Sequence, residues 1–157
     1  MIDDVSLRFV EAGDLPVFFI HQQDPEACRM AAFPPRERER FFSHWESILR
    51  DPAVSNRTIL LGNVVVGNVG AWTNAETKER LLCYWIGREF WGRGIATRAV
   101  TAFLHAEPTR PLRARVARHN AGSIRVLERT GFLCTGEDAY VSHDGSPVAE
   151  FIYTLST

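Results

Sequence analysis

Two short stretches carry residue types at spacings that could do chemistry. In the first, Gly92-Arg93-Gly94-Ile95-Ala96-Thr97 follows the strand-forming run "YWIG" and opens an apolar-periodic segment that reads as helix. A helix N-terminus carries unpaired backbone N–H groups and a partial positive charge, so a glycine-rich turn from strand into helix suits a phosphate or pyrophosphate. Gly92 and Gly94 lack the Cβ atoms that would obstruct such a ligand, Ala96 keeps the next position small, and Thr97 adds a hydroxyl. Arg93 is the cation best placed to meet a phosphate; Arg88 and Arg98 flank it. The same glycines would equally serve a tight turn that needs left-handed backbone and binds nothing. In the second stretch, "NAGSIRVLERTGF", Asn120 can cap a helix while Ser123 presents a hydroxyl in its first turn.

Spacing excludes two familiar nucleotide sites. The dinucleotide fingerprint requires glycine where Thr97 stands, and the mononucleotide loop requires a lysine, whereas the single Lys of this chain is Lys78. His21, His44, His105, His119 and His143 show no metal-ligand spacing, and Cys28, Cys83 and Cys134 form no C-x-x-C pair, so no metal is expected.

The elements that must position these residues follow from periodicity. Alternation in "VSLRFVE" predicts a strand, Asp14 can cap a helix over "LPVFFIHQQ", and "PPRERERFFSHWESILRD" places Phe41, Phe42, Trp45, Ile48 and Leu49 on one helical face. "NRTILLGNVVVGNVGAWT" reads as a hairpin turning at Gly62-Asn63, and "RLLCYWIG" as a further strand leading into the glycine turn. A helix over Ile95 to His105 ends before Pro108. "PLRARVARHN" then reads as a strand with Leu112, Ala114 and Val116 on one face and Arg113 and Arg115 on the other. Gly131 ends the helix that Asn120 opens, and Asp144-Gly145 joins two closing strands. The expectation is one α/β (α+β) domain over residues 1–157, with a mixed sheet and a strand-helix-strand crossover between Tyr84 and Arg118.

Composition fits a globular enzyme-sized domain: 157 residues, 45% hydrophobic and 24% charged. A formal net charge of −1 gives no general attraction to nucleic acid or to an anionic membrane. The N-terminus "MIDDVSLRF" is acidic where a signal peptide is basic and apolar, and no apolar run reaches the roughly 18 residues of a membrane span. A cytoplasmic protein is expected, as monomer or homodimer, with neither nucleic acid nor membrane as partner.

"WGRGIATRAV" after "YWI" resembles the acetyl-coenzyme A-binding turn of the GNAT superfamily of N-acetyltransferases, [QR]-x-x-G-x-[GA]. Gly94 and Ala96 match; Trp91 departs at the first position, as in the branch resembling ribosomal-protein N-terminal acetyltransferases. "NAGSIRVLERTGF" is similar to the superfamily's second cofactor motif, N-x-x-S followed by a helix and Gly-Phe. The resemblance extends over essentially the whole chain. It implies a sheet, mixed but mostly antiparallel, splayed between its fourth and fifth strands with acetyl-coenzyme A in the gap. It also implies cofactor contacts from Trp85, Ile86, Gly87, Gly92, Arg93, Gly94, Ile95, Ala96, Thr97, Asn120 and Ser123.

The activity so implied is acetyl transfer to a primary amine, either a small molecule or a protein N-terminus, by direct attack. An oxyanion donor is expected among the backbone N–H groups of Trp85 to Gly87. Leu127 stands where many family members carry the tyrosine that protonates the departing thiolate, and Ser123, one helical turn earlier, is the candidate acid; it could instead bind the cofactor only. For the base, Glu79 shares a strand face with Leu81, the position that resembles the family's usual glutamate, and competes with a reading as a solvated strand-end carboxylate. Glu150, Tyr84 and His119 are further candidates. A catalytically silent acyl-coenzyme A-binding module is the alternative from another class.

Overall fold

Alternating apolar residues of this chain close into one sheet whose two faces bury different partners. The computed structural model describes residues 4–142 and 144–157. Met1 to Asp3 of the acidic N-terminal stretch, and His143 among the histidines weighed as ligands, lie outside the described residues. The strands are β1 (Val5–Arg8), β2 (Ser55–Leu61), β3 (Val64–Thr73), β4 (Arg80–Ile86), β5 (Leu112–Ala117), β6 (Leu133–Val141) and β7 (Pro147–Leu155). The helices are α1 (Leu15–Gln22), α2 (Pro25–Ala31), α3 (Arg38–Arg50), α4 (Ile95–Ala106) and α5 (Ala121–Arg129).

Sheet order is β1-β2-β3-β4-β5-β7-β6, so β7 inserts between β5 and β6. Every neighbouring pair is antiparallel except β4 and β5. That parallel pair is joined only at Arg80↔Leu112 and Leu81↔Arg113. The Arg80 guanidinium pins this closed end, reaching Glu107 at 2.7 Å and the Thr73 hydroxyl at 3.0 Å. Beyond Leu81 the two strands part, and the expected splay between the fourth and fifth strands is present.

On one face, α4 buries Ile95, Ala99, Val100 and Phe103 against Ile59, Val69, Leu82 and the Leu112-Ala114-Val116 side of β5. On the other, Leu15 and Phe18 of α1 meet Phe41 and Trp45 of α3. Each fully buried side chain of this size contributes about 1.5–3 kcal/mol relative to exposure, so these two clusters hold the helices onto the sheet.

Two local expectations need correction. Asp14 does stand at the start of α1, but its carboxylate makes no cap there. It accepts instead from Arg8 at 2.7 and 2.9 Å, from the Glu11 N–H at 2.9 Å and from the Thr58 hydroxyl at 2.6 Å, because the turn Ala12–Asp14 already runs into the helix. The second correction is α2, which lay unassigned in "DPEACRMAAF". Asp24 caps it by accepting from the Ala27 N–H at 2.8 Å, and Ala32 in left-handed conformation (φ 52°) ends it.

Candidate active site

The parting of β4 from β5 opens a cavity of about 480 Å³, walled by the glycine turn, α4, α5 and α2. Gly92 (φ 77°) and Gly94 (φ 73°) both take left-handed backbone, which a residue with a Cβ adopts only at a cost. A Cβ at either position would meet no protein atom within 4 Å and would project into open space. Gly94 is the N-cap of α4 and supplies no side-chain acceptor, so the first-turn N–H groups have no intrahelical partner. Trp91 braces the turn, its Nε1–H donating to the Ile86 carbonyl at 2.9 Å.

The opposite wall is α5. Asn120 Oδ1 accepts from the Ser123 N–H at 3.2 Å, so the predicted cap is formed. Gly122, Ser123, Val126 and Arg129 follow at helical spacing and face the cavity. Across the gap, the Tyr84 hydroxyl lies 2.5 Å from Ser123 Oγ. Burial pushes the Tyr84 phenol up, the Ser123 hydrogen bond offsets part of this, and the result is about 12, so the phenol keeps its proton at neutral pH.

Of the residues expected at the cofactor, Trp85, Ile86, Gly92, Gly94, Ala96, Thr97, Asn120 and Ser123 line this cavity. Ile95, Arg93 and Gly87 do not. Ile95 is 1% exposed and anchors α4 in the core; the Arg93 guanidinium sits 5.8 Å from the Phe90 ring centroid. Gly87 has a packing reason to be glycine, since a Cβ there would come within 2.7 Å of His21 Nε2. Its N–H donates to the Val66 carbonyl at 2.9 Å. Strand N–H groups point alternately to the two sides, so within Trp85 to Gly87 the Ile86 N–H is the one directed toward the gap.

Glu79 lines neither this cavity nor the one described next. It lies between Arg113 at 3.5 Å and Arg115 at 3.6 Å. Arg115 also reaches Asp138 and Glu150, both at 3.0 Å, so the Arg113–Arg115 side of β5 is an ion network. His119 Nε2–H donates to the Arg29 carbonyl at 2.7 Å and holds the end of α2. Leu127 is 1% exposed and packs in the core.

A second cavity, about 710 Å³, lies between α1, α3 and the sheet and reaches through the gap. Its wall includes Phe18, Phe41, Trp45, Trp72 and Cys83, and it shares Ala31, Tyr84, Trp85, Asn120 and Ser123 with the first cavity. Sequence reasoning favoured the helix core over a binding role for Phe41 and Trp45. It did not find Tyr84 as the partner of Ser123, α2 as a wall of both cavities, or Val126 and Arg129; the i, i+3 and i, i+6 spacing from Ser123 was the available signal for the last two.

Among the described residues no group of three or more His, Cys, Asp or Glu could hold a metal ion, and no helix is long and apolar enough to cross a membrane.

A family model described as an acetyltransferase (GNAT) domain matches residues 4–133. No curated protein sequence matches the chain. Among solved structures, the chain is similar to a spermidine N-acetyltransferase from Vibrio cholerae in complex with CoA and spermine, at 17% identity and a TM-score of 0.81 over 95% of this chain and 94% of that one. It is similar to RimL, a ribosomal L7/L12 α-N-protein acetyltransferase in complex with coenzyme A, at 16% identity and a TM-score of 0.81 over 97% of this chain and 93% of that one. A GNAT-family acetyltransferase from Bacillus anthracis aligns at 16% identity and a TM-score of 0.81, over 97% and 94% of the respective chains. At these identities the likeness is one of fold.

Proposed function

The chain belongs to the GNAT acetyltransferase family, and on that premise we propose that it moves an acetyl group from acetyl-coenzyme A to a primary amine held in the second cavity. The observation that carries this reading is the shared wall: Tyr84, Trp85, Asn120 and Ser123 border both cavities where β4 and β5 part. Two reactants placed on either side of that wall meet at Ser123.

The first cavity fits an acyl-coenzyme A. The free N–H groups at the start of α4 and the left-handed glycines receive a pyrophosphate, and Arg129 adds positive charge to the wall. Bound there, acetyl-coenzyme A supplies a thioester carbonyl for attack and a thiolate as leaving group. The Ile86 N–H stabilises the oxyanion that develops on the carbonyl oxygen. Ser123 donates its proton to the departing sulfur and recovers one through the Tyr84 hydroxyl at 2.5 Å, which is itself reprotonated from solvent, so that the proton lost by the acceptor ammonium balances the one gained by the thiolate. A coenzyme A thiol titrates near the reference value of roughly 8.5 for cysteine, so this proton transfer assists departure without being its sole driving force. Glu79, held between two arginines and lining neither cavity, belongs to the ion network in this reading, and the ammonium of the acceptor loses its proton to solvent in the second cavity.

Three free cysteines, Cys28, Cys83 and Cys134, suit the reducing cytoplasm. The acceptor class includes small-molecule amines and peptide N-termini. Calorimetry with acetyl-coenzyme A, followed by free-thiol release over a panel of amines and N-terminal peptides, tests the proposal: binding with turnover supports it. Binding without thiol release from any amine would leave a silent acyl-coenzyme A-binding module, and no binding would overturn both.

A further inference from the structure

Three charged side chains line the second cavity: Arg36, Asp51 and Arg115. Two of them are engaged within the protein. Asp51 Oδ1 accepts from the Ala53 N–H at 2.9 Å, and Arg115 is bound to Asp138, Glu150 and Glu79 at 3.0 to 3.6 Å. The Arg36 guanidinium makes no hydrogen bond or ion pair among the described residues; its one partner is the Phe33 ring, with Cζ 4.9 Å from the centroid. A guanidinium presents several N–H donors in a rigid planar fork, and leaving them without acceptors in a half-buried position is unfavourable.

The segment bearing Arg36 is held as firmly as the side chain is unoccupied. The Arg36 N–H donates to Gln22 Oε1 at 2.8 Å, and the Arg36 carbonyl accepts from Gln23 Nε2 at 2.8 Å. Gln22 is 6% exposed and its Nε2 donates to the Pro34 carbonyl at 2.9 Å. Two glutamines of the α1 end therefore fix the backbone that aims Arg36, while Phe33 supports the face of the fork. The nearby His44 imidazole, also on the cavity wall, has its pKa lowered first by burial and then by the Arg36 charge, which disfavours a second cation beside the guanidinium.

Resting on the acetyltransferase reading above, we propose that the acceptor carries a carboxylate or equivalent anionic group along with its amine, and that Arg36 binds that group by a charge-assisted fork. Planar bidentate recognition of a carboxylate is what an arginine with a fixed backbone and a free guanidinium provides. A polyamine is the opposite case: with the lone wall carboxylate already accepting a backbone N–H and the Arg36 cation also on the wall, this cavity disfavours a second ammonium. The acceptor class is thus amino acids or peptides bearing a carboxylate near the reacting amine.

The test uses the full chain and a panel of amino acids, each paired with its carboxamide, plus spermine. Thiol release gives kcat/KM for each, and quenching of Trp72 and Trp85 fluorescence gives binding of the same compounds without turnover. Wild type should favour at least one carboxylate over its amide by tenfold or more, with spermine poorest. In Arg36→Ala this ratio should collapse toward one, with the loss falling on KM, and Arg36→Lys should restore part of it. Thermal stabilisation by acetyl-coenzyme A should persist in both variants, which shows that the fold and the first cavity are intact. Equal binding of carboxylates and amides, preference for spermine, or a ratio unchanged in Arg36→Ala overturns the anion site while leaving the transferase reading in place. Failure of acetyl-coenzyme A to bind wild type overturns that reading separately, because the fluorescence comparison does not depend on it.

Discussion

The Tyr84 hydroxyl of β4 and the Ser123 hydroxyl of α5 lie 2.5 Å apart, across a gap that no strand pairing bridges. Leu127 occupies the turn after Ser123 and has no proton to give, so in the proposed reaction the donor is built from two elements instead of one side chain. Either hydroxyl can donate to the other. With the Tyr84 phenol pushed up to about 12 by burial, the pair holds both protons throughout the neutral range.

Ser123→Ala should therefore lower kcat by about 10²–10⁴-fold, the range of general acid assistance, with little change in acetyl-coenzyme A affinity. Tyr84→Phe should produce a smaller loss, and the double variant should fall no further than Ser123→Ala, since the two act as one donor. The check is single-turnover thiol release, in which product release does not limit the rate. A Ser123→Ala rate within about threefold of wild type would return the serine to a cofactor-binding role.

Gly94→Val places a β-branched side chain at φ 73°, at a cost of about 1–3 kcal/mol, and aims its methyl groups into the space at the start of α4. Cofactor binding by calorimetry should fall by orders of magnitude while circular dichroism still reports the fold. Unchanged affinity would remove the pyrophosphate from this turn.

For Asn120, the side chain both caps α5 and borders the shared wall. Loss of the cap in Asn120→Ala should cost about 1 kcal/mol of stability. Melting temperature and acetyl-coenzyme A affinity should fall together; a fall in melting temperature alone would confine Asn120 to capping.

Acid should weaken the fold through Asp14. Burial acts to raise its pKa, but the Arg8 pair and the hydrogen bonds from Glu11 and Thr58 outweigh it and hold the carboxyl below its ordinary value of 3.8. A depressed folded value means that the unfolded chain takes up the proton first, so this contribution is complete above the unfolded value and is lost as pH falls through the folded one. Asp14→Asn should cost about 1.5–3 kcal/mol at pH 7 and flatten the fall in urea midpoint as pH drops below 3.8. A variant with the wild-type acid slope would show that other carboxyls set it.

What could be read from the chain was whatever is local. Gly92, Gly94, Asn120 and Ser123 announce a turn and a cap within a few residues, and the alternation of Leu112, Ala114 and Val116 announces a strand. The Tyr84–Ser123 contact joins residues 39 apart, and nothing in either neighbourhood encodes it; it depends on how α5 lies over β4. The seven-residue α2 offers less than two turns of periodicity, so its apolar pattern stayed below recognition. Insertion of β7 between β5 and β6 is a choice among antiparallel partners that hairpin signals do not make. Arg113 and Arg115 read only as the second face of a strand, because their acidic partners arrive from three other parts of the chain.

The shared wall ties the two cavities together thermodynamically. Tyr84, Trp85, Asn120 and Ser123 touch both spaces, so an occupant that shifts one of these side chains alters the neighbouring site. Such coupling is reciprocal: the factor by which one cosubstrate changes the affinity of the other must be the same in either order of addition. The enzyme would then form a ternary complex by either route, and lines of reciprocal rate against reciprocal acceptor concentration would intersect, not run parallel. Their crossing point would measure how strongly the gap between β4 and β5 communicates.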